Sequence, residues 1–166
     1  MPTTLMDDTW ESDIGALLAE LAEVQTALLV TLSEKRLLLA AGDHAALTAM
    51  GEREQELANR LQACHERRQQ LLARASEDGL PADSIHSLSH RLPAKSRDRV
   101  QASIRDANGR TKILQHQSLA NWVLVQRSLL HLSQLIEIIA TGGRPKPTYG
   151  KGSDDQASGA LVDRAA

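Results

Sequence analysis

At 166 residues the chain is long enough for one domain with a tail, and 42% apolar with 24% charged residues is the balance of a folded soluble protein. Aromatics are only 2%, without Phe, so the core must be built from Leu, Ile, Val and Ala, which suits coiled-coil helices better than a sheet sandwich. A net charge of −2 argues against nucleic acid or an anionic membrane surface as partner, and one cysteine, Cys64, excludes an internal disulfide framework and fits a reducing compartment.

The N-terminus, MPTTLMDDTW, lacks the basic and apolar regions of a signal peptide. A first helix is predicted from about Trp10 to Ala40, with Asp7, Asp8 and a capping Thr9 at its start. Ile14, Leu17, Leu21, Val24, Leu28, Thr31, Lys35 and Leu38 form a heptad seam that weakens toward its end. Ala41-Gly42-Asp43 is a stop followed by a start: Gly42 suits the left-handed position after a helix, and Asp43 caps the next one. So short a link makes the two helices antiparallel neighbours.

A second helix is predicted from about His44 to Ser76. Its seam is Leu47, Met50, Glu54, Leu57, Leu61, Cys64, Arg68 and Leu71. Arg53, Glu56, Arg60, Glu66 and Arg67 read as a solvated outer face. Glu54 interrupts the seam and is expected to snorkel out or to pair with Lys35 across the hairpin. Asp78-Gly79-Leu80-Pro81 ends this helix, and Asp83 or Ser84 caps a short connector helix that Pro93 closes. A third helix follows from near Ser96 to Thr141, roughly 70 Å long at 1.5 Å per residue if unbroken. The turn-like pair Asn108-Gly109 marks where it would bend or break.

The stretch from Leu119 to Ala140 carries more apolar surface than a two-helix seam uses. At 100° per residue, Trp122, Leu124, Val125, Leu129, Leu132, Ile136 and Ile139 share an arc of roughly 160°. Asn121, Gln126, Arg127, His131, Gln134 and Glu137 argue against a membrane span. The residues expected to bind a partner are Leu119, Trp122, Val125, Leu129, Leu132, Ile136 and Ile139. The plain alternative is a central bundle helix that packs on both others. From Gly142 on, Gly, Pro, Ser and charge dominate, so residues 142–166 are expected to be a disordered tail and 1–141 the helical domain. Tyr149 is the lone aromatic of that tail.

No catalytic constellation, cofactor fingerprint or metal site emerges. His86 and His90 are spaced i, i+4 without an evident third ligand. His65, His116 and His131 lack the Lys or Gly close behind them that would favour a phosphotransfer bundle. Cys64 on the seam reads as a small buried apolar residue.

The chain resembles the FlgN family of flagellar type III export chaperones. The resemblance rests on Ala41-Gly42-Asp43 followed by Ala45-Ala46-Leu47, on Ala107-Asn108-Gly109 with Leu114 and Asn121 following, and on Thr148-Tyr149-Gly150 followed by Lys151-Gly152. It implies an all-α fold, in agreement with the periodicity: an antiparallel helical hairpin plus a long third helix, a three-helix coiled-coil-like bundle, with a flexible C-terminal tail. It further implies a cytoplasmic, non-enzymatic chaperone. Such a chaperone would hold the helical C-terminal segment of hook-associated junction proteins on its last helix. Tyr149 and Gly150 would dock on the cytoplasmic domain of the export gate. The competing expectation is a self-assembling coiled-coil structural or adaptor protein, whose arc is consumed by homodimers or larger homo-oligomers.

Overall fold

The computed structural model describes residues 4–141, with side chains from residue 8 onward. The chain folds as α1 (Thr4–Ala41), α2 (His44–Ala49), α3 (Gly51–Glu77), α4 (Ile85–Ser89) and α5 (Ala94–Thr141), without a strand among the described residues. The fold is all-α: a helical hairpin followed by one long helix. It divides into two compact units, Met1–Asn121 and Trp122–Ala166, with the boundary inside α5.

In the first unit, α1 is the helix on which the others pack. Trp10, Ile14, Leu17 and Val24 of α1 meet Cys64, Leu71 and Ala75 of α3, and Ile85, Leu88 and Leu92 of the α4 region close the end of this core. The reversal between α1 and α2 follows from local chemistry. Gly42 sits at φ +68°, while the N–H groups of Asp43 and Gly42 donate to the carbonyls of Leu38 and Leu39. This is the Schellman closure that a left-handed residue allows. Asp43 then accepts from the Ala46 N–H at 3.0 Å, capping α2. The same device recurs at Gly79, also at φ +68°, where Leu80 N–H donates to Ala75 O at 2.8 Å. It delivers Leu80 onto the core. The connector helix is capped by Ser84, whose Oγ accepts from Ser87 N–H, rather than by Asp83.

The hairpin register is written in charge. Asp13 pairs with Arg74 at 2.6 Å, Glu20 with Arg67 at 3.7 Å, Glu23 with Arg60 at 3.5 Å and Glu34 with Arg53 at 2.8 Å. The arginines recur every seven residues on α3 and the acids stand on α1, so only one antiparallel alignment satisfies them. Arg53, Arg60 and Arg67 keep the solvent exposure expected of an outer face, and they also flank the seam and reach across it. Lys35 and Glu54 pair as expected at 2.8 Å, with the signs of the two helices exchanged. Each exposed pair contributes at most about 1 kcal/mol, so alignment is their main effect.

The segment of α5 within the first unit runs parallel to α1. Ser96 and Arg99 meet Glu11 at one end, and Asn121 Nδ2 donates to Leu32 O at the other. In the middle, buried Gln25 donates from Nε2 to Ala107 O at 3.1 Å and to Thr111 Oγ1 at 3.0 Å. Its Oε1 accepts from Arg110 Nε at 2.9 Å. This network spans the Asn108-Gly109 pair and ties both sides of it to α1, which explains why α5 runs through these residues as helix where the sequence favours a break.

Three other boundaries differ from the periodicity. Helix α1 begins at Thr4, so Thr9 lies inside it and caps nothing. Helix α5 begins at Ala94, directly after Pro93. The second helix is divided at Met50, before Gly51, whose low helix propensity makes it the weakest point of that stretch.

Candidate protein-binding site

The second unit contains the last turns of α5, and its described residues end at Thr141. Every residue from Arg127 to Ala140 is exposed. Trp122 is 58% exposed, Leu129 52%, Leu132 53%, Ile136 58% and Ile139 68%, whereas Val125 is half-buried. For Leu and Ile side chains this is the exposure of a lone helix with nothing laid against it. Leu130, Leu135 and Ile138 are also exposed and were absent from the sequence-derived set. Leu130 and Ile138 fall outside the arc by helical spacing, so periodicity rather than exposure singles out the arc. Leu119 is exposed as well, but it belongs to the first unit and stands apart from the other six. Tyr149 and Gly150 lie outside the described residues.

Local hydrogen bonding keeps this face ready for apolar contact. Ser128 is the hydroxyl within the arc, and its Oγ donates to Leu124 O at 3.0 Å. Ser133 Oγ donates in the same way to Leu129 O at 3.0 Å. A hydroxyl satisfied by its own helix can be covered without leaving an unpaired donor. Arg127 and Glu137, the charged residues of the arc's own stretch, fall on the other side of the helix by spacing. By length and composition alone both α1 and α5 could cross a membrane, but the apolar window of α1 is 33% buried and supplies much of the core.

The first unit holds a groove of about 580 Å³ floored by Leu17, Leu18 and Leu21 and flanked by Leu61, Ile85 and Ile104. Leu61, placed on the seam by its spacing, is 39% exposed because it forms this groove's wall. Arg68, the other interruption of the α3 seam, stands at its lip.

Elsewhere the chemistry-bearing residues serve the fold. Cys64 is buried, and its thiol pKa is pushed up by burial first and then by Glu20, against smaller lowering effects of Arg60 and Arg67. A thiol so placed is a poor nucleophile. The rings of His86 and His90 meet edge to face, with centroids 4.9 Å apart. Among the described residues no group of three or more His, Cys, Asp or Glu could hold a metal ion.

Trp10 is a structural residue that periodicity did not bring forward. It is 6% exposed, and the Arg74 guanidinium lies 3.9 Å from its ring centroid while also pairing with Asp13. The available signal was its position four residues before Ile14, one more turn of the same seam.

A helical hairpin joined to an apolar, exposed helix belongs to the class of molecules that act by binding other proteins. A family model described as FlgN protein matches residues 6–156. The chain belongs to the FlgN family, the flagellar export chaperones. Neither curated proteins nor solved structures yield a match.

Proposed function

We propose that this chaperone acts in the cytoplasm on the hook-filament junction proteins. It holds their helical C-terminal segment on the arc from Trp122 to Ile139 and delivers them to the flagellar type III export apparatus. The observation that carries this reading is the exposure of every residue from Arg127 to Ala140 in a stretch this rich in Leu and Ile. An amphipathic client helix laid along the arc would meet Trp122, Val125, Leu129, Leu132, Ile136 and Ile139 at helical spacing. Four fully buried anchors contribute about 6–12 kcal/mol before association and ordering costs, so the complex they support alone is weak enough to release its cargo. Leu119 is a peripheral contact in this scheme. Tyr149 and Gly150, outside the described residues, are the pair proposed to dock on the cytoplasmic domain of the export gate. Client holding and gate docking thereby use different surfaces.

Co-expression with a junction protein tests the assignment. A defined complex is expected from the unaltered chain, and Leu129→Asp with Ile136→Asp is expected to abolish it while the circular dichroism of the helices persists. Undiminished co-purification would rule out this face as the client site. The same exposed apolar side chains support a second reading, self-association through the arc, in which a homodimer covers the face when no client is present. Sedimentation separates the two: a tight oligomer that never yields to client favours a structural or adaptor role.

A further inference from the structure

Within the first unit α3 and α5 both pack on α1, yet no hydrogen bond or ion pair joins α3 to α5 among the described residues. Between them lies the open groove of about 580 Å³, floored by α1. Its α3 wall runs from Ala58 to Arg68, about 15 Å at 1.5 Å per residue, which is room for roughly three turns of a further helix. The rims of this groove are basic. Arg68 is the one Lys, Arg, Asp or Glu among its lining residues. By helical spacing Arg105 and Lys112 stand within about 60° of Asn108, on its side away from α1. Arg68, Arg105 and Lys112 are all exposed, and none forms an ion pair among the described residues. On the opposite flank of α3 the pattern is reversed, for Arg53, Arg60, Arg67 and Arg74 each meet an acid of α1. Asp98, an acid on the same side of α5 by spacing, precedes Ile104 by more than a turn and is not among the groove's lining residues.

We propose that this groove docks an acidic amphipathic helix of a protein partner, which completes a four-helix arrangement on α1. The floor and walls at Leu17, Leu18, Leu21, Leu61 and Ile104 call for an apolar stripe at spacings of three and four. The unmatched cations on both rims select Asp and Glu beside that stripe and repel Lys and Arg. The exposed helix of a second copy does not fit this description, because from Trp122 to Ile139 it carries one acid, Glu137, against one base, Arg127. An anionic lipid surface would share the charge but not the shape, since a flat bilayer does not fill a groove walled by two helices. The groove is built from residues other than those of the arc, so this inference stands apart from the chaperone reading.

Fluorescence anisotropy of the full chain with labelled helical peptides of about 20 residues tests this. The peptides share one Leu stripe at heptad spacing and differ only in whether Glu, Gln or Lys flanks it. The Glu peptide is expected to bind at least about tenfold more tightly than the Lys peptide, and added salt should narrow the difference. Arg68→Glu combined with Arg105→Glu and Lys112→Glu should invert that preference while circular dichroism stays unchanged, because all three side chains are exposed. Leu61→Ala should weaken the Glu peptide about tenfold by removing part of the apolar wall. Leu129→Asp with Ile136→Asp should leave the preference intact. Equal binding of the three peptides, no binding of any, a preference for Glu that survives the charge reversal, wild-type affinity for Leu61→Ala, or loss of the preference in the arc variant would each overturn the proposal. Vesicles of phosphatidylserine and phosphatidylcholine that bind through the same three cations while the Glu peptide does not would assign the rims to a membrane surface and overturn it as well.

Discussion

Cys64 shows how a residue type with reactive potential is turned to packing. Its thiol lies 3% exposed in the α1–α3 core, and burial together with Glu20 raises its pKa. Native protein at pH 8 should therefore react with iodoacetamide far more slowly than protein unfolded in urea, and rapid native labelling would contradict the burial. The linkage has a definite sign. A thiol whose folded pKa is raised keeps its contribution to stability in full below the ordinary thiol range, and that contribution is lost as pH climbs through the raised value. Urea midpoints should fall from pH 8 to pH 10 by more in the native sequence than in Cys64→Ala. Such a role was legible beforehand because spacing alone puts Cys64 on the seam. The burial of Gln25 was not: a lone glutamine in a Leu-rich helix gives no hint that its amide will be fully used by Ala107, Arg110 and Thr111 of a helix far away in sequence.

Among the elements, the hairpin was visible as heptads, the long helix as an apolar face at helical spacing, and the Gly42-Asp43 reversal as a helix stop joined to a cap. What local signals could not weigh was tertiary support. Asn108-Gly109 has the residues of a turn, yet the Gln25 network holds that turn of α5 in helical form. Conversely the stretch from His44 to Ser76 looked continuous, and it parts at Met50, next to α2, which has no buried side chain to hold it. The arginine series on α3 was seen as surface because each residue lies beside the apolar stripe rather than on it. Its function in register makes a sharp prediction. Reversing Arg53, Arg60 and Arg67 to Glu should lower the melting temperature by an amount that reflects about 1 kcal/mol or less per pair plus repulsion from Glu20, Glu23 and Glu34. Adding Glu20→Lys, Glu23→Lys and Glu34→Lys should restore much of it. Failure of the second set to rescue would show that these pairs do not set the alignment.

For the molecule as a whole, the division at Asn121 separates two kinds of chain. The first unit encloses a core of apolar side chains around α1, while Leu37, Leu61, Ile113 and Leu119 stay exposed. The second presents its apolar side chains. The candidate face was readable because its apolar residues outnumber the positions one helical neighbour can cover, and its breadth is a property of sequence alone. The central claim is that the helix from Trp122 to Ile139 is kept bare for a client. Hydrogen–deuterium exchange of its amides, measured at dilutions where the chain is monomeric, addresses this most directly. These amides should exchange rapidly in the free protein and become strongly protected when a junction-protein C-terminal segment is added, while those of the first unit's core change little. Protection that is already complete without client, or none gained in its presence, would contradict the account.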